Sequence, residues 1–168
     1  MNATEERDAA AASRLDPAIA SLVRESFDKQ GLMRHLGAAI VGIDVGKVRI
    51  RMPFRPELTQ QNGYFHAGGT SAIADPAGGY AGLTVFPAGS AVLTVEFKIN
   101  LIAPAKGDAL QAVGQVIKAG RTLTICQLQV FAEQAQVLKP VAVGQQTLIC
   151  LKDGIAPEEA RSRTGDAV

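Results

Sequence analysis

Tryptophan is absent from this 168-residue chain, and cysteine and histidine occur only twice each. Cys126 and Cys150 sit inside strand-like runs and read as buried, reduced thiols, and no Cys–His cluster has metal-ligand spacing. Neither sign of charge dominates. Lys and Arg total 17 against 16 Asp and Glu, a net charge of +1 with no basic run. A nucleic-acid partner held by phosphate neutralisation is therefore not expected. No apolar stretch approaches the roughly 20 residues needed to span a bilayer, so no membrane partner is expected either. The opening "MNATEERDAAAAS" has no apolar leader core, which makes a cytoplasmic protein the expectation. What remains is an ordinary globular balance, 47% apolar and 20% charged, in a length that fits one domain with a real core. Residues 1–14 read as a flexible N-terminal tail, 15–152 as a single domain and 153–168 as a polar C-terminal tail.

Asp16-Pro17 is a helix start, with Asp at the N-cap and Pro in the first turn. Ile19, Leu22, Val23 and Phe27 follow with helical spacing, and Gly31 is a candidate stop. From Gly37 the period shortens to two. In "VGKVRIRMPF", Val48, Ile50, Met52 and Phe54 alternate with Arg49 and Arg51, a half-buried strand whose partner is "AAIVGIDV" across a Gly46 turn. "LTVEFKINLIAP" alternates most clearly: Leu93, Val95, Phe97, Ile99 and Leu101 on one face, Thr94, Glu96, Lys98 and Asn100 on the other. "PAKGD" is a turn, "ALQAVGQVIKAGRTLTICQLQVFAE" gives two long strands around Ala119-Gly120, and "VAVGQQTLICLK" gives the last. Phe97 and Phe131 are core by parity. The class is α+β: one antiparallel sheet with an insert at residues 66–86 that must cover its apolar face.

That insert, "HAGGTSAIADPAGGYAGLTVF", is rich in Gly and apolar nearly all round. A helix of this composition survives only when buried on most sides, and small residues let sheet and helix backbones approach closely. A central helix from about residue 67 is one reading. Pro76 supports another, in which Asp75 is an N-cap and the helix begins there. Asp75 is the sole acidic residue between Glu57 and Glu96, and no Lys or Arg lies between Arg55 and Lys98. A carboxylate in an apolar setting without a local ion-pair partner is costly and points to acid–base chemistry. His66 is nine residues earlier, roughly 13 Å along a helix, so the two cannot meet within one helix. Two copies with antiparallel helices would bring Asp75 of one chain to the helix start of the other, where the Ala67 and Gly68 N–H groups could hold a developing negative charge.

The residues "QQNGYFHAGGTSAIADPAGGYA", "LTVEFKINLIAPAKGD" and "VIKAGRTLTICQLQVFAE" together resemble the PaaI-like acyl-CoA thioesterases of the hot dog fold, over about residues 37–151. The resemblance implies a curved antiparallel sheet around a central helix. It implies a homodimer, often paired into a tetramer, with acyl-CoA bound at composite sites and no cofactor beyond the substrate's own CoA. By position it implies that Asp75 is the nucleophile or the base that activates water, and that the Ala67 N–H polarises the thioester carbonyl. Gln60 would lie near the thioester with Asn62 as a competing amide, His66 would orient its surroundings, and Thr94 would help place the water. Gly68 would line the substrate, and Lys118 and Arg121 would face the CoA phosphates. Departures are Ala at position 67, where Gly is usual, and Pro76 after the acid.

Plainer roles stand beside these: an N-cap for Asp75, a backbone-bonded helix-start histidine for His66, and an exposed loop amide for Gln60. Thr94 reads equally as part of a polar strand face and Arg121 as a solvated hairpin residue. His35 carries no assigned function. An acyl-thioester hydratase or dehydratase and a non-catalytic acyl-CoA binder are the alternative functions on the same fold.

Overall fold

The structure is a computed structural model and describes residues 15–152; the two terminal segments read as tails lie outside the described residues. Helix α1 (Pro17–Asp28) starts as the sequence indicates, the Asp16 carboxylate accepting from the Ala18 N–H at 2.8 Å. Val23 and Phe27 are buried, whereas Leu22 of the same set is exposed. Gly31 does not stop this helix. The stop comes at Lys29, and Gly31 opens a second short helix, α2 (Gly31–Leu36), whose formation is favoured by burial of Met33 and Leu36. Gly37, at φ +65°, ends it in the left-handed conformation that glycine adopts without penalty.

Strand β1 (Ala39–Asp44) pairs with β2 (Lys47–Pro53) across the Gly46 turn, and Val48, Ile50 and Met52 are fully buried. Phe54 falls just past β2, half exposed, with its ring edge-on to Phe65. After a single 3-10 turn at Pro56–Leu58 comes α3 (Ala67–Leu83), then β3 (Ala91–Leu101), β4 (Ala109–Ala119), β5 (Leu123–Gln134) and β6 (Val137–Leu151). The six strands form one antiparallel sheet in the order β1-β2-β4-β5-β6-β3. Helix α3 lies against β2, β3, β4, β5 and β6, so the sheet wraps the helix as the central-helix reading requires.

The rival start at Asp75 is overturned. His66 is the N-cap, and α3 runs unbroken through Pro76, which is buried. The proline ring removes the helical bond to the Ala72 carbonyl, but close packing on five strands holds the helix through that position.

Two parity assignments also change. In β3 the register shifts between Thr94 and Glu96, which pair with the adjacent residues Leu148 and Thr147, leaving Val95 as the extra residue of a β-bulge. Beyond the bulge, Phe97, Ile99 and Leu101 share the inner face; before it, Thr94 and Val92 do, and Leu93 is turned outward. Thr94 thus parts from Glu96, Lys98 and Asn100. Phe97 is not core within this chain: β3 is the sheet edge, and the ring is 41% exposed. Phe131 is half-buried on the outer face of β5, since Thr124, Cys126, Leu128, Val130 and Ala132 take the inner one.

Candidate active site

The chain that leads into α3 is pinned before the helix begins. Phe65 is buried, its N–H donates to the Ala105 carbonyl, and the His66 N–H donates to Leu58. His66 then caps the helix with its ring: Nδ1 accepts the Gly68 N–H at 2.8 Å. With Nδ1 used as an acceptor, the neutral ring carries its proton on Nε2. The Gly68 N–H is therefore spent on the cap and is not available to a ligand, a correction to the expected pair of free donors. The Ala67 N–H has no protein acceptor among the described residues. It opens onto a groove of about 600 Å³ lined by Gln60, Tyr64, His66, Thr70 and the stretch from Leu101 to Ala105.

Gln60 sits in a tight turn closed by its own backbone: the Gln60 N–H donates to Tyr64 and the Gly63 N–H donates back to the Gln60 carbonyl. Its side-chain oxygen accepts the Asn62 N–H, which leaves the Gln60 NH₂ as the free end facing the groove. The Asn62 side chain is exposed and makes no hydrogen bond among the described residues, so its role here is through the backbone.

Asp75 lies two turns further along α3, half-buried. Its Oδ1 accepts from the Thr94 hydroxyl at 2.8 Å and from Gln146 Nε2 at 2.7 Å. The bulge at Val95 is what turns Thr94 toward the helix. Gln146, from β6, is the residue that sequence reasoning missed. The available signal was its parity: it alternates in step with Ala142 and Leu148, both on the buried side. Asp75 opens onto a second cleft of about 430 Å³, between α1, the middle of α3 and the start of β3. Tyr80 closes part of it, hydrogen-bonded to Ser26 and Gln30, and burial pushes its phenol above the usual range despite those two bonds.

Asp75 and Ala67 face different clefts, eight helical residues and so about 12 Å apart. One chain does not bring them together. Lys118 and Arg121 are exposed on the β4–β5 hairpin, at the end of the sheet where β3 begins and away from the Ala67 groove of the same chain.

Cys126 is buried, its thiol donating to the Gly78 carbonyl, and burial pushes it up to about 12; Cys150 is free and half-buried. Among the described residues no three His, Cys, Asp or Glu side chains cluster as metal ligands, and no helix is long and apolar enough to cross a membrane.

The sequence profile of the thioesterase superfamily matches residues 62–139, a span that holds both Ala67 and Asp75. A thioesterase family protein from Silicibacter pomeroyi is 40% identical, with 79% of this chain and 98% of that one covered and a TM-score of 0.77. The PaaI protein of the phenylacetic acid degradation operon of E. coli shares the fold at 21% identity, over 80% of this chain and 94% of its own, with a TM-score of 0.70. A protein of Halobacterium salinarum named as a candidate esterase is 29% identical over 116 residues, 66% of this chain and 76% of its own length. Profile, relatives and architecture agree, and the chain belongs to the thioesterase superfamily, with the hot dog fold of that family.

Proposed function

We propose that this protein hydrolyses acyl-CoA thioesters at composite sites, each made by two copies of the chain. The observation that carries the reading is the division of labour along α3: an open amide at the helix start and a held carboxylate in its middle, separated by more than a substrate carbonyl can bridge. A two-fold partner with its α3 antiparallel supplies the missing half of each site. The edge strand β3 supports such pairing, because its backbone edge is unpaired and Val95, Phe97, Leu101 and the following Ile102 are exposed apolar side chains along it.

In this reading the thioester carbonyl accepts from the Ala67 N–H, aided by the positive end of α3. The Gln60 NH₂ lies close enough to the groove to orient the thioester, and His66 keeps the helix start in shape rather than acting as a base. Asp75 of the partner copy takes a proton from water, which attacks the carbonyl carbon; the tetrahedral intermediate then expels CoA as its thiolate. Direct attack by the carboxylate, with hydrolysis of the resulting anhydride, uses the same geometry. Lys118 and Arg121, which have no ion-pair partner among the described residues, would meet the CoA phosphates. Two free cysteines suit a cytoplasmic setting, and association of dimers into tetramers follows the family resemblance.

The test is Asp75→Asn, which keeps shape and removes the base. Release of CoA thiol from a panel of aliphatic and aryl acyl-CoAs should fall by about 10²–10⁴-fold. Near wild-type hydrolysis by a folded variant would defeat the assignment, and CoA binding without turnover by the wild type would favour a binding protein instead.

A further inference from the structure

Gln146 is 1% exposed, and its amide is aimed at the candidate carboxylate. Nε2 lies 2.7 Å from Asp75 Oδ1, 3.1 Å from the Asp75 carbonyl oxygen and 3.0 Å from Thr94 Oγ1. An amide turned over would direct its oxygen at a carboxylate and a carbonyl, so the neighbours fix its orientation. That orientation leaves Gln146 Oε1 buried against the backbone of Gly78, with no hydrogen-bond partner among the described residues. An unsatisfied buried acceptor opposes folding. A side chain selected for packing alone at this place would be apolar, as Leu128 and Leu148 beside it are.

We infer that Gln146 is a positioning residue for catalysis: with Thr94 it ties down Oδ1 of Asp75 and leaves Oδ2 as the one oxygen free to meet water or the thioester carbon. The inference rests on the reading of Asp75 as the acting carboxylate. Both donors converge on the same oxygen, at 2.7 and 2.8 Å. The Thr94 hydroxyl hydrogen is committed to that bond, and one of its lone pairs takes the Gln146 N–H. Its part is thus to hold the carboxylate rather than to donate to the attacking water. A carboxylate able to rotate presents either oxygen in any of several directions; one clamped at Oδ1 presents a single oxygen in a single direction, and the gain appears in the chemical step.

Three variants of the full chain test this by steady-state kinetics on the best acyl-CoA substrate, with melting temperatures and oligomeric state measured alongside. Gln146→Leu should lower kcat about 10- to 100-fold, the worth of one hydrogen bond to a charged group, while KM stays within about threefold. Its melting temperature should equal or exceed the wild type's, because the orphaned oxygen is gone. Gln146→Glu keeps the shape but makes the two carboxyls share a proton, which takes the free base from Asp75 at neutral pH, and should lower kcat further than Gln146→Leu. Should the leucine variant fail to fold, the glutamate variant carries the test alone. A kcat within about twofold of wild type in either folded variant overturns the inference, as does a loss that comes with a risen KM and a lowered melting temperature in both. Asp75→Asn separates the two levels: if it is active the underlying reading fails, and if it is inactive while Gln146→Leu and Gln146→Glu are not, only the positioning role fails.

Discussion

A single methyl group is too large for position 114. Gly114, on the inner face of β4, sits so close to α3 that a Cβ there would come within 2.2 Å of the Ala77 carbonyl group and 2.3 Å of the Gly78 nitrogen. These are backbone atoms and cannot rotate away. Gly114→Ala should lower unfolding free energy by about 3 kcal/mol, at the upper end of overpacking, measured by urea titration. At Gly78 the obstacle is side chain instead: a Cβ would meet the end of Gln146 and a Leu128 methyl, and moving Gln146 would break its bond to Asp75. The small residues of "HAGGTSAIADPAGG" announced this close approach on the helix side, and the lone Asp75 is what directed the proposal to its carboxylate. The parity of Gln146 was ambiguous, because Val143 and Ile149 alternate in step with Gln145 as Ala142 and Leu148 do with Gln146. A glutamine beside another glutamine in a strand reads as surface until the register shows which of the two points inward, and here Gln145 is exposed and Gln146 is not.

Among the elements, the strands with uniform alternation were readable and the irregular ones were not. β2 alternates without interruption, and its three inward residues are those that periodicity selects. In β3 one bulge exchanges the faces of everything before it, and nothing in "LTVEFKINL" marks Val95 as the extra residue. The turn from β5 to β6 was also hidden. Ala135 and Gln136 adopt φ of +48° and +65°, conformations usually signalled by Asn and Gly. The last strand therefore begins at Val137, earlier than its apolar run suggests. Across β2, β4 and β5 the outer face carries a two-pronged ion pair from Arg51 to Glu133, at 2.8 and 3.2 Å. The Arg51 hydrogen bonds hold the Glu133 carboxyl below its usual range, and Arg51 is raised in turn. Glu133 therefore binds its proton less readily folded than unfolded. The stabilisation is complete above the unfolded carboxyl value, near 4.3, and is lost as pH falls through the lowered one. The pair is partly exposed, so its worth is at most about 1 kcal/mol. Glu133→Gln should be less stable than wild type at neutral pH by that amount, and the gap should close in melts run at strongly acidic pH.

For the whole molecule, the apolar strip on β3 is the feature that a lone chain leaves unsolved. Phe97 at 41% and Leu101 at 55% exposure, on the inner face of a sheet edge, have little cover among the described residues. Phe97→Glu should give a monomer by light scattering and abolish hydrolysis while leaving the circular dichroism of the fold in place. A variant that stays associated and active would locate the pairing surface elsewhere. Periodicity assigns Phe97 to the core, since alternation reports an apolar face and is silent on what covers it.

The guarded thiol of Cys126 has a practical consequence. With its acidity pushed to about 12, only about one part in 10⁴ is thiolate at pH 8, the form that reacts with colour-forming disulfide dyes. Background from the folded protein in such an assay should therefore come from Cys150. With substrate left out, a second equivalent of dye consumed over time would count opened molecules, so the blank cuvette of the turnover assay reports on unfolding.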